Sequence, residues 1–211
     1  MSNRVFNLIV LDESGSMECI RQSAINSVNE TLQTIRKAES DYADQHHFVT
    51  FVTFNSHTRT HYQNVAASEV ADLKADQFNP NSLTALYDAL GESINALAAK
   101  VEKGDKVLVT VVTDGEENSS REYSGAAVKA LIDRYKGEGW VFAYMGANHD
   151  VEAAAAQLSI TNHIAWETSN EGVHRMSTLH CKSRAKLYES FSKADFSAAQ
   201  ANENFFSEDD K

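Results

Sequence analysis

Two stretches of this chain, Val5–Leu11 and Lys106–Thr113, are apolar or β-branched at nearly every position instead of alternating with polar residues. A strand with one wet face alternates. A strand buried on both faces does not, and it needs helices above and below it. The flanking segments supply those helices. Ile20–Lys37, Ala85–Lys100, Ser124–Lys136, Val151–Leu158 and Val173–Phe191 carry apolar residues at helical spacing, and His47–Phe54, Trp140–Met145 and Ile160–Trp166 read as further strands. Strand-helix alternation implies an α/β fold: three layers, doubly wound around a mostly parallel sheet. One exception is expected. Only Asn55-Ser56-His57 separates His47–Phe54 from the strand-like Thr58–Val65. That is too short for a parallel crossover, so Thr58–Val65 forms an antiparallel edge strand.

With 211 residues, the chain suits one large domain, read here as residues 1–195. Residues 196–211 have weak apolar periodicity and an acidic end, Ser207-Glu208-Asp209-Asp210-Lys211, and are expected to form a loosely held tail. Ser68–Leu73 is read as a short helix. The net charge of −11 argues against nucleic acid or an acidic membrane as partner. No window approaches the ~20 apolar residues of a membrane span. Met1-Ser2-Asn3-Arg4 leads into a short strand instead of a secretory leader, and Cys19 and Cys181 are the only cysteines. Together these place the protein in a reducing, cytoplasmic compartment.

Ligands of doubly wound sheets bind at the carboxyl ends of the strands, near the switch in strand order. Three polar segments fall on that edge. Asp12-Glu13-Ser14-Gly15-Ser16-Met17 follows the first strand, Asn79-Pro80-Asn81-Ser82-Leu83-Thr84 precedes the Ala85 helix, and Thr113-Asp114-Gly115-Glu116-Glu117-Asn118 comes at the end of the Lys106 strand. Their side chains are carboxylates and hydroxyls, hard oxygen donors that suit Mg²⁺, Mn²⁺ or Ca²⁺. Taken singly each has a plain structural reading. Asp12, Ser14, Ser16 and Thr84 are ordinary helix-capping residue types, and Asp-Gly is an ordinary turn.

Taken together, and in this order, the segments resemble the von Willebrand factor A domain. That family builds its metal-ion-dependent adhesion site from an Asp-x-Ser-x-Ser turn, a separate Thr and a separate Asp. The matching residues are Asp12, Ser14, Ser16, Thr84 and Asp114. The likeness covers about residues 5–166. One departure is Asn81-Ser82-Leu83, where the family commonly has glycines. The resemblance implies a Rossmann-like fold and a site that holds Mg²⁺ (or Mn²⁺ or Ca²⁺) through those five residues. It implies a protein partner whose Glu or Asp caps the ion, and membership of a larger intracellular assembly of prokaryotic or phage type. Glu13 and Glu116 have no matching role and are read as rim charges. His149, His163, His174 and His180 lack metal-ligand spacing and are read as surface or partly buried residues.

The expected function is therefore binding, not catalysis. The competing reading is a Mg²⁺-dependent phosphohydrolase with Asp12 as nucleophile. Such enzymes commonly carry a second Asp two residues on, where this chain has Ser14, and a phosphate-binding Lys that has no counterpart here. Phosphate-loop, zinc-protease and serine-hydrolase motifs are also missing from the sequence.

Overall fold

The computed structural model describes residues 3–206. β1 (Asn3–Asp12) leads through a tight 3₁₀ turn, Gly15–Ile20, into α1 (Arg21–Asp41). β2 (Gln45–Phe54), β3 (Thr58–Ala66), α2 (Leu86–Ala98), β4 (Lys106–Thr113) and α3 (Gly125–Gly137) follow. Then come β5 (Val141–Gly146), α4 (Val151–Gln157), β6 (Asn162–Ala165), α5 (Asn170–Phe191) and α6 (Ala198–Asn204). The strands form one sheet in the order β3-β2-β1-β4-β5-β6, parallel except for the β2–β3 hairpin. The order reverses between β1 and β4, and that is where a ligand site belongs.

The unbroken apolar runs do what their composition requires. Along β1, Phe6, Leu8 and Val10 pack with α2, α3 and α4, while Val5, Ile9 and Leu11 pack with α1 and α5. Leu8 is level with Thr50 of β2 on one side and Val109 of β4 on the other. Both faces are thus sealed, and the strand ends are left as the exposed functional rim.

Several boundaries differ from the sequence reading. The tight turn takes Ile20, and α1 runs on to Asp41, with Lys37 paired to Asp41 one turn later. Ser68–Leu73 is not a helix: only Ala67–Glu69 forms a 3₁₀ turn. The remainder is held open because its backbone bonds α1 instead of itself. Leu73 N donates to Asn29 Oδ1, and Arg36 donates to Val70 O. α5 begins at Asn170, earlier than expected, because the Ser169 hydroxyl caps Gly172 N.

The expectation of a loosely held tail from residue 196 is corrected. Asn202 is buried; its Oδ1 accepts from Phe142 N (3.0 Å) and its Nδ2 donates to Trp140 O (2.7 Å). Phe205 and Phe206 are buried in the core, and Phe196 sits edge-on against Phe191. The apolar anchors are too sparse to make a periodic pattern, and the polar one acts by satisfying backbone groups where β5 begins. The acidic end, residues 207–211, lies outside the described residues.

Candidate metal centre

Asp12 ends β1 with no exposure to solvent. Its Oδ1 accepts from Ser14 N (2.6 Å) and its Oδ2 accepts from the Thr113 hydroxyl (2.6 Å). The carboxylate thereby folds the following turn back on itself and ties the end of β1 to the end of β4. In that turn the Ser14 and Ser16 hydroxyl oxygens lie 3.2 Å apart, and Ser16 donates to Asp114 Oδ1 (2.5 Å). Thr84 joins from the second loop. A Cβ placed on Gly115 would meet Thr84 Oγ1 at 3.5 Å and Ser16 Oγ at 3.9 Å. Gly115 thus leaves clear the space between two hydroxyls drawn from distant parts of the chain.

The second loop reaches this position through bonds to the first. Glu13 Oε1 accepts from Asn79 N (2.5 Å), Glu13 O accepts from Asn81 N, and Gly15 N donates to Ser82 O. Glu13 is only 5% exposed, so it is not a rim charge; it is the strut of the Thr84 loop. Glu116, by contrast, is exposed as expected. Ser82 takes a left-handed φ of 66°, supplying the conformation that a glycine would adopt more easily. On the far side, Thr84 N donates to Asn118 Oδ1 while Asn118 N donates to Thr84 O. The third loop is held to α2 in turn. Glu117 accepts from Tyr87 N, and Asp88 accepts from the backbone of Arg121, Glu122 and Tyr123.

All five side chains singled out by the sequence therefore converge at the switch point. Thr113, Glu13, Asn118, Glu117 and Asp88 were missed. Thr113 and Glu13 adjoin expected ligand positions, but each of the five acts by bonding a group of another loop or strand, and residue type alone does not signal that; a Thr closing a strand carries no signal beyond β propensity. His180 is also corrected: it is fully buried rather than near the surface.

The electrostatics fit a cation. Asp12 and Asp114 are both buried and have no Lys or Arg partner among the described residues. Burial pushes the Asp12 carboxyl up to about 6, outweighing the bonds from Thr113 and Ser14. Asp114 is raised by burial as well. Asp114 Oδ2 is buried with no hydrogen-bond partner, and such an orphaned group calls for a ligand. Three hydroxyls and two carboxylates form an oxygen-only set that fits a small hard divalent ion. Among the described residues no group of three or more His, Cys, Asp or Glu offers an alternative centre.

The profile of the von Willebrand factor type A domain matches residues 8–179. The chain belongs to this family. Among solved structures, the vWA protein from Catenulispora acidiphila superimposes with a TM-score of 0.62 at 16% identity, covering 84% of this chain and 42% of that one. The vWF domain of the type V pili tip protein Mfa5 from Porphyromonas gingivalis gives 0.62 at 9% identity, over 93% of this chain and 99% of that one. Proximal thread matrix protein 1 from the mussel byssus, with a zinc-occupied MIDAS motif, gives 0.55 at 15% identity, over 85% of this chain and 46% of that one. The vWA domain here thus spans less than half the length of the first and third of these proteins. No curated protein matches the sequence. Among the described residues no helix is long and apolar enough to cross a membrane.

Proposed function

We propose that this vWA domain is a metal-dependent protein-interaction module with a complete adhesion site formed by Asp12, Ser14, Ser16, Thr84 and Asp114. The observation that carries the reading is the makeup of the donor set. Three neutral hydroxyls face the centre. Of the two carboxylates, Asp12 commits both oxygens to Ser14 N and Thr113 Oγ1, and Asp114 commits one to Ser16. An ion held this way, Mg²⁺ or else Mn²⁺ or Ca²⁺, keeps unsatisfied positive charge and an open position for an oxygen ligand from outside. A Glu or Asp of a protein partner fits that position. The mussel byssus protein supports the metal, since it carries zinc in a motif of this type.

We read the domain as non-catalytic. The phosphohydrolase alternative requires Asp12 to attack substrate. A carboxylate with no solvent exposure and both oxygens engaged is a structural anchor, not a nucleophile. We further propose a cytoplasmic location within a larger assembly of bacterial or phage type. Cys19 and Cys181 are both free thiols, which suits a reducing compartment.

Isothermal titration of chelator-stripped protein with Mg²⁺ and Mn²⁺, repeated on Asp12→Ala, tests the site. Saturable binding in the parent that disappears in the variant is expected. Equal binding in both proteins would move the ion elsewhere, and partner capture that survives chelation would end the adhesion reading.

A further inference from the structure

The sheet has two open edges, and they differ. At β3 the ladder to β2 shifts register between Val49 and Val52, and Asn64 takes a left-handed φ of 55°. Tyr62 and Arg59 reach from this strand to Ala71 O and Gln77 O of the segment that follows it. Bulges and crossing side chains keep a sheet edge from pairing with another chain. β6, at the other end, has neither. Asn162-His163-Ile164-Ala165 holds no Pro and no Lys, and its register with β5 is regular. Only its shortness protects it.

Two residues of β6 turn their backbone outward. Trp166 N donates to Gly146 O, so the alternate residues Ile164 and Asn162 also direct N–H and C=O toward β5. His163 and Ala165 direct theirs away, and no hydrogen bond among the described residues reaches those four groups. Ala165 is exposed. Alongside this edge runs a trough of about 960 Å³ between β6 and α5. Ile164, Trp166 and Leu179 form its apolar part, and the ionisable groups on its α5 wall, His174, Arg175 and Lys182, are all basic. The acids of the lining are Glu152 of α4 and Glu167, which Arg175 holds at 3.2 Å in an exposed pair. His174 and Lys182 are exposed and have no hydrogen bond or ion pair among the described residues. In a chain of net charge −11 the α5 wall is a local reversal of sign.

We propose that the β6 edge and this trough bind an extended acidic segment of a protein partner, which joins the sheet as a further strand beside β6. The outward groups of His163 and Ala165 supply the main-chain template, and the trough takes alternate side chains of the added strand. Arg175 and Lys182 lie seven residues apart on one face of α5, about 10 Å along the helix. Residues i and i+4 of a strand share a face and lie about 13 Å apart. The fitting segment is therefore acidic-x-apolar-x-acidic, with the apolar side chain against Ile164 and Leu179 and the carboxylates toward the basic wall. This surface is lateral to the strand-end rim and needs no metal, so it stands independently of the adhesion reading.

An amide NMR titration of the full chain in EDTA tests this, with acetyl-Thr-Glu-Thr-Val-Thr-Glu-Thr-amide as the probe. Saturable shifts at residues 162–167 and 174–182 are expected, and hydrogen exchange of the His163 and Ala165 amides should slow. Two further probes carry N-methyl groups on alternate amides, one in each phase. The one methylated toward β6 should not bind, and the one methylated on its outer edge should. Ala165→Pro removes an outward N–H and no bond within the sheet, so the fold and its Mg²⁺ titration should stand while probe binding is lost. Lys182→Gln breaks no bond among the described residues and should weaken binding about two- to fivefold, as for an exposed ion pair. Absence of shifts at these residues would overturn the proposal. So would equal binding of the two methylated probes, equal binding of a probe with lysine in place of glutamate, or full affinity in both variants. Self-association that Ala165→Pro abolishes would assign the edge to a second copy, and probe binding seen only after removal of residues 207–211 would assign it to the chain's own acidic end; either result ends the partner reading.

Discussion

Glu13 shows how a residue next to a ligand position can matter without being a ligand. Its carboxylate receives Asn79 N and so fixes the approach of Thr84. Glu13→Ala leaves the part-buried Asn79 N–H without its carboxylate acceptor, a cost of about 1 kcal/mol. Mg²⁺ affinity should also fall, because the Thr84 hydroxyl loses its fixed position, while Glu13→Gln keeps an acceptor and restores most of both. Parallel urea melts and titrations on the two variants check this; identical behaviour of Ala and Gln would show that the strut is idle. Arg184 is the other decisive residue. It has no solvent exposure and, among the described residues, no carboxylate partner. Its guanidinium donates to Asn7 Oδ1 (3.1 Å), Tyr188 Oη (2.7 Å) and Thr110 Oγ1 (3.0 Å), and lies 3.2 Å from His180 Nε2. These neutral acceptors bind α5 to β1 and β4. Arg184→Ala removes a large buried side chain and orphans several acceptors at once, so about 3–5 kcal/mol of stability is expected to be lost. Lys presents one point charge in place of a planar fork and should recover little of it. Chemical denaturation of both variants decides, and near-wild-type stability of Arg184→Lys would contradict the role given to the fork.

At the scale of elements, the interface between α5 and the sheet carries a pH signature. His47 is driven down to about 3 by burial and then by the Arg184 charge, and His180 falls well below its ordinary value for the same two reasons. His61 on β3 drops to about 4, through burial and then Arg59. In each case the folded state resists a proton that the unfolded chain takes up near pH 6.5. The unfolded state therefore binds more protons below that pH, and stability is lost as pH falls from about 6.5 toward 4 and 3. Each group contributes at most about 1.4 kcal/mol per pH unit. Asp12, from about 6 down to 3.8, and Asp114, also raised by burial, act in the opposite sense, but the three histidines begin to lose stability at higher pH and outweigh them. Thermal melts in EDTA from about pH 7.5 to about pH 5 should show a falling Tm, and a flat or rising profile would disprove this balance. α6 makes the second prediction at this scale. Phe205→Ala should cost about 3–4 kcal/mol as a buried aromatic, measured by equilibrium unfolding, whereas a loosely held tail would lose almost nothing.

For the whole molecule, the proposed metal binding would be linked to stability. The unfolded chain scatters Asp12, Thr84 and Asp114 far apart, so an ion that binds their assembled set stabilises only the folded state. At a free Mg²⁺ concentration about one hundred times Kd the expected gain is about 2.7 kcal/mol, worth roughly 5–10 °C in Tm for a domain of this size. Asp12→Ala should show no metal-dependent shift, and an equal shift in parent and variant in differential scanning fluorimetry would place the stabilising ion at another site.

Unbroken apolar runs at Val5–Leu11 and Lys106–Thr113 determined a sheet buried on both faces, and the short Asn55–His57 link determined the antiparallel edge. Asp12, Ser14, Ser16, Thr84 and Asp114 were legible as well, because strand ends and helix starts in this topology share one rim. These are local properties: period, linker length and residue type act over a few positions. Glu13 as a strut, the buried Arg184 among neutral acceptors, and the docking of Asn202 and Phe205 were decided by tertiary structure alone. Each depends on which backbone or side-chain group arrives from far along the chain. A buried polar residue is defined by the partner that satisfies it, and no pattern within its own segment names that partner.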